Sequence, residues 1–133
     1  LDAPLDTPDA LTDAPTLAQG HGLIQTWHLS GPSGTRSVRI AAGMSMSSPA
    51  AQREAARSGA GVALLPHYAV ADDLQDGRLQ EVLPGWTGQP RPVTLVYPGA
   101  QALTHRLRAL ADLMADAVGP MLAEPQAKPG VMI

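Results

Sequence analysis

Ser37-Val38-Arg39-Ile40-Ala41-Ala42, Gly43-Met44-Ser45-Met46-Ser47-Ser48, Pro49 through Gly59, then Val62-Ala63-Leu64-Leu65-Pro66: no other stretch says as much about architecture. Its first segment alternates polar with apolar and predicts a strand over 37–42. A loop of small residues over 43–48 follows. Ser48 is suited to cap a helix and Pro49 to open it, and the helix continues through Ala50, Ala51, Glu54, Ala55 and Ala56 to Gly59. Val62 to Leu65 is continuously apolar, as in a strand buried on both faces. Strand, helix and strand within about 30 residues is a βαβ unit, with parallel strands joined right-handed.

Upstream, Thr7-Pro8-Asp9-Ala10-Leu11 has the features of a short helix start, with Pro15 to stop it. Ile24 to Leu29 alternates, and with the Gly31-Pro32-Ser33-Gly34 turn it predicts a hairpin from 24 to 41. Downstream, Pro66 ends a strand and Tyr68 to Leu74 forms a short helix closed by Asp76-Gly77. Strands are expected over 78–83 and 93–97. Thr104 caps a long helix with Leu103, Leu107, Leu110 and Met114 on one stripe, read as core and ended by Gly119-Pro120. Residues 123–133 lack periodicity and are expected to form a disordered tail.

The chain has 133 residues, enough for about one domain. Nine basic and 12 acidic residues leave a net charge of -3, with Lys128 the only lysine. That balance disfavours a grip on nucleic acid by this chain alone. The absence of Cys excludes disulfides, thiol catalysis and thiolate metal sites, and suits a reducing compartment. The first twenty residues carry Asp2, Asp6, Asp9 and Asp13, unlike a secretion signal, and no run is long enough for a membrane span. The expectation is a cytoplasmic chain. It opens at Leu1 rather than Met, as a piece of something longer would.

Candidate chemistry is sparse. His21, His28, His67 and His105 lack metal-ligand spacing and read as surface residues. Asp72, Asp73 and Asp76 read as the solvated end of a helix rather than an acid–base cluster. Gly43 to Ser47 has Ser where a nucleophile elbow needs Gly. Gly59-Ala60-Gly61 lies after a helix, the wrong place for a dinucleotide loop, and reads as a C-cap with close packing. Trp27 and Trp86 read as packing residues. No motif calls for a cofactor or a metal.

One place stands out. Loops 43–48 and 66–68 follow parallel strands, at the carboxyl edge where open α/β sheets bind ligands. The helix opening at Ser48 directs free N–H groups there. A small organic anion is expected against Ser45, Ser47 and Ser48, with Met44, Met46 and Leu65 as apolar contacts. Pro66 fixes the adjoining wall, and His67 or Tyr68 forms the rim. Plain helix capping is the alternative for each serine.

The segment from Ala55 to Pro66 resembles the "aa..G.Gia.lP" stretch of LysR-type transcriptional regulators. Val70 to Leu79 is similar to their "va.dl..GrL". Val82-Leu83-Pro84-Gly85-Trp86, Val93 to Pro98 and a final long helix complete the series. Pro4 to Leu11 is like the family's "G.P.tp.dL", and Trp27-His28-Leu29 like its "W.f" strand. The resemblance covers roughly residues 4–122. It implies the effector-sensing domain of such a regulator, an α/β fold with a Rossmann-like lobe of the type 2 periplasmic-binding-protein kind. That fold would be incomplete at its N-terminal side. Residues 1–77 would form the second lobe, and 78–122 the hinge return with the last strand and helix of the first. Such a domain is no enzyme. Its implied partners are a small anionic effector, DNA through a helix-turn-helix that this chain lacks, and other copies of itself. A periplasmic-type solute-binding protein of the same fold, or a small serine hydrolase using Ser45 or Ser47, would be the alternatives. The first needs a secretion signal and the second a base, and the sequence offers neither.

Overall fold

Short strands separated by turn residues set the element order. The computed structural model describes residues 5–91, 93–96, 104–123 and 129–132. A 3-10 turn (Pro8–Thr12) leads into β1 (Thr16–Gln19), β2 (Ile24–Gly31), β3 (Gly34–Ala41), β4 (Met44–Met46) and α1 (Pro49–Arg57). Then come β5 (Val62–Pro66), α2 (His67–Gln75), β6 (Thr87–Gly88), α3 (His105–Ala123) and β7 (Pro129–Met132). The chain forms two compact units, one running to Pro90 and completed by β7, the other from Arg91 through α3.

The first unit is built on a seven-stranded sheet of order β3-β2-β6-β7-β5-β1-β4. β1 runs parallel to β4 on one side and to β5 on the other. The remaining pairings are antiparallel, including the expected hairpin, in register from Ile24 opposite Ala41 to Gly31 opposite Gly34. The βαβ unit is present, but its first strand is β4 and not residues 37–42, of which 37–41 belong to β3 at the far edge of the sheet. β1 lies between β4 and β5. Neither short strand has an alternation long enough to read: β1 sits between Pro15 and Gly20, and β4 is only three residues long.

Period-two alternation divides the core between the two faces of the sheet. Leu17, Ala63 and Leu65 face a cluster with Ala56, Val70 and Leu79. Ala18 and Val62 join Leu11, Trp27, Leu29, Val38, Ile40, Leu83 and Trp86 on the other side. β5 is thus buried on both faces, and both tryptophans are packing residues, as their sequence context suggests. A Cβ on Gly31 would run into the ring of Trp86, so this strand end must be glycine for the indole to lie over it. α1 closes in a Schellman cap: Gly59 N–H donates to Ala56, Ala60 N–H to Ala55, and Gly59 takes φ +79°.

Other expectations need correction. Residues 78–83 are not a strand, because the N–H groups of Arg78 and Leu79 turn back to the Asp73 carbonyl. The segment then bends sharply at Leu83, whose φ is +60°, and at Gly85. Residues 93–96 have no strand pairing, and Tyr97 lies outside the described residues. α3 does not end at Gly119-Pro120 but continues to Ala123 with Pro120 inside it, forgoing one main-chain bond. Thr104 caps α3 as expected, its Oγ1 accepting from the Leu107 N–H at 3.4 Å. The stripe read as core is open to solvent, with Leu107 44%, Leu110 51% and Met114 43% exposed. Leu103 lies outside the described residues. The tail expected over 123–133 contains β7: edges left open on β5 and β6 take up extended chain whatever its periodicity.

Candidate functional site

The parallel strands β4, β1 and β5 end side by side, at Met46, Gln19 and Pro66. The Gly20 N–H donates to the Met46 carbonyl at 2.8 Å, joining the first two ends. α1 begins two residues past β4, and α2 directly after β5. The amino ends of both helices therefore lie over one sheet edge, where their first-turn N–H groups have no partner within the helix. Ser48 is the N-cap of α1, with extended backbone and a hydroxyl that makes no capping bond. Ser47 and Ser48 are both exposed. Their hydroxyls are available to a ligand at this edge.

The other expected contacts divide by burial. Ser45 is committed within the fold, its hydroxyl donating to the Gly20 carbonyl at 2.6 Å, so it positions the loop after β1. Met46 packs against the helix-side core and Leu65 is buried in it, which makes both supports of the edge rather than parts of its surface. Met44 is half exposed but pairs with Leu17, two residues back from the strand end. Pro66 and His67 are half-buried at the start of α2, with Tyr68 exposed beside them.

Sequence reasoning missed the third loop, Gly20 to Leu23, because it missed β1. Gly20 and Gly22 have φ of +88° and +95°, which lets the chain turn tightly and hold the exposed His21 out from the edge. Gln25 Nε2 donates to the Gln19 carbonyl at 2.8 Å and fixes the loop to β2. The glycine pair around His21 was the available signal.

At the other end of the same helices stands a second polar cluster. Asp73 is buried, not solvated as its place near a helix end suggests. It accepts from the Nε of Arg53, and from the Nε of Arg78 at 2.7 Å, with Arg57 at 3.6 Å. These hydrogen bonds, from Arg53 first and Arg78 second, hold its carboxyl down to about 2 and raise both guanidiniums. An open depression of 340 Å³ beside it is lined by Glu54, Arg57, Ser58 and Arg78. Arg57 is met by Glu54 at 2.8 Å and Arg78 by Asp76 at 2.7 Å, so no cation there is left for an anionic ligand. This cluster is an ion-paired clasp between the two helices. Gln52, also buried, donates to the Leu17 carbonyl at 2.7 Å and fastens α1 to β1. His28 Nδ1 meets Ser37 Oγ at 2.8 Å on the exposed face of the hairpin, as a cross-strand pair. Among the described residues no group of His, Asp and Glu could hold a metal ion, and no helix is long and apolar enough to cross a membrane.

Comparison with known proteins bears on what this edge serves. Residues 2–119 match the family model of the LysR substrate binding domain. The chain is 36% identical over 61 residues to the HTH-type transcriptional regulator PtxR of Pseudomonas aeruginosa, covering 46% of this chain and 20% of that protein. It is 38% identical over 58 residues to the uncharacterized HTH-type transcriptional regulator YhjC of Escherichia coli, covering 44% and 19%. It therefore matches only about a fifth of the length of these relatives. Among solved structures it is similar to full-length AphB, a virulence activator of Vibrio cholerae, at TM-score 0.55 and 26% identity, covering 63% of this chain and 29% of that one. The regulatory domain of AphB in Vibrio vulnificus shares its fold at TM-score 0.61 and 24% identity, covering 84% and 56%.

Proposed function

Because this chain belongs to the LysR substrate-binding-domain family, we propose that it is the sensing part of a bacterial transcriptional regulator, occupied by a small organic anion. One observation carries the placement of the ligand: three parallel strands end beneath two helix amino-termini, with the hydroxyl of Ser48 left uncapped. Ser47, Ser48 and the main-chain N–H groups near Ala50 are its donors. Met44, Ser45, Met46, Leu65, Pro66 and His67 shape or support the wall, and His21 adds a polar group from the loop after β1. Residues 1–77 act as the second lobe of the sensing fold and 78–122 as the return to the first.

The domain binds its effector without turning it over. It acts in the cytoplasm, assembles with further copies and reaches DNA through a helix-turn-helix elsewhere in the regulator. Among the described side chains of α3, the large apolar residues Leu107, Leu110, Leu113, Met114 and Val118 are exposed, which favours assembly.

Loss of one hydrogen bond to a charged group costs about 1.5–3 kcal/mol. Ser47→Ala or Ser48→Ala in the intact regulator is therefore expected to weaken effector binding by about tenfold or more. Isothermal titration and a promoter-reporter assay measure it. Unchanged affinity and induction in both variants would place the ligand elsewhere.

A further inference from the structure

The last strand of the chain fills a seam in the middle of the sheet. β7 lies antiparallel to β5, with Ala63 opposite Met132, Leu64 opposite Val131, Leu65 opposite Gly130 and Pro66 opposite Pro129. On its other side Gly130 stands opposite Thr87 of β6. Without β7 the sheet divides into β4-β1-β5 and β6-β2-β3, each with a bare inner edge. Unpaired N–H and C=O groups in that position are readily met by any extended segment.

Three observations separate the strand from its socket. Both walls come from residues 62–88, whereas the strand arrives only after residues 89–128. That intervening stretch belongs for the most part to the other compact unit, Arg91–Ala127, and not to the one that holds the socket. The family match ends at residue 119, ahead of β7, so the framework that forms the socket does not supply the strand.

We propose that this socket takes residues 129–132 of a second copy, and that two chains assemble by exchanging their last strands. An exchanged strand makes the same main-chain bonds as one that closes within its own chain, because only the connection differs. That equivalence is what makes exchange of an identical element a low-cost route to a dimer. Closure within one chain must bring together the ends of a long excursion, at an effective concentration on the order of millimolar or below. Exchange therefore grows with protein concentration. The proposal gives the assembly part of the functional reading a route, and its test involves no effector.

The absence of Cys from the chain lets a disulfide report a single pairing. Leu64→Cys and Val131→Cys, made in separate chains, are mixed at about 10 μM and about 1 mM and oxidised, spanning the range of effective concentration. A one-to-one cross-linked dimer is expected, increasing with concentration and exceeding a control mixture of Thr35→Cys with Val131→Cys. A yield no greater than the control at both concentrations overturns the exchange. Should Leu64→Cys fail to fold, sedimentation of the unmodified chain and of Val131→Pro decides, since proline cannot serve inside a central strand. The unmodified chain is expected to move toward dimer with concentration and Val131→Pro to stay monomeric. A dimer undiminished in Val131→Pro overturns the exchange and leaves assembly by another surface standing. A chain monomeric at every concentration overturns both.

Discussion

Asp73 is the carboxylate of the helix pair that water does not reach, and three arginines surround it. Removing its charge leaves those guanidiniums facing one another across a packed interface, so Asp73→Asn should destabilise the first unit at neutral pH. The pH dependence has a definite sign. The folded carboxyl titrates at about 2, below its unfolded value, so the folded state binds fewer protons between the two. Its stabilisation is complete above about pH 5 and is lost as the pH falls through about 2. Urea midpoints of the native chain and Asp73→Asn should therefore differ at pH 7 and converge toward pH 2.5, and a constant gap would show that the charge is not what matters. Sequence alone treats Asp72 and Asp73 alike. What separates them is helix phase, since Val70 and Asp73 share the buried side of α2. Arg53 and Arg57 stand one helical turn apart, but their partner lies 16 to 20 residues away in a fold the residues do not print.

At the scale of elements, what was legible follows the length of each pattern. The alternations read over Ile24–Leu29 and 37–41 fall inside the eight-residue strands β2 and β3, and α1 opens at Pro49 and gives way to Gly59 as the sequence predicts. β1 and β4 were invisible because four and three residues cannot establish a period. Position in the sheet makes up for their brevity: β1 is flanked by parallel strands and contributes Leu17 to one face and Ala18 to the other. The candidate site depends on it, since Gly20 and His21 follow directly from its end. Leu17→Ala removes a fully buried side chain from the strand to which both β4 and β5 are joined, and should cost about 2–5 kcal/mol. Ile24→Ala, at an exposed hairpin position, should stay within about 0.5 kcal/mol. Chemical denaturation measures both, and similar losses would mean that β1 is not the keystone of the sheet. The edge serving Ser47, Ser48 and His67 was found because helix polarity is written locally, in Ser48-Pro49 and Pro66, even where the preceding strand was misidentified.

For the whole molecule, charge and extent limit what this chain does unaided. Its net charge is -3, and its acidic groups intervene where its arginines gather, at Glu54, Asp73 and Asp76. Duplex recognition draws much of its affinity from released counterions, which takes a cluster of unpaired cations on one face. The sensing role proposed above needs no such cluster. The isolated chain should give no sequence-selective complex with regulator-controlled promoter DNA in a low-salt gel shift at submicromolar protein, where electrostatic attraction is strongest. A selective shift there would mean that this chain contacts DNA directly. Adding an anionic effector to the intact regulator should instead change operator affinity through a shift between two states of the sensing fold. Its size is limited by the effector's differential affinity for those states. Ser47→Ala would then reduce the effector's influence on DNA binding while leaving effector-free binding to the operator unchanged, and loss of both together would place Ser47 in the scaffold rather than in the site.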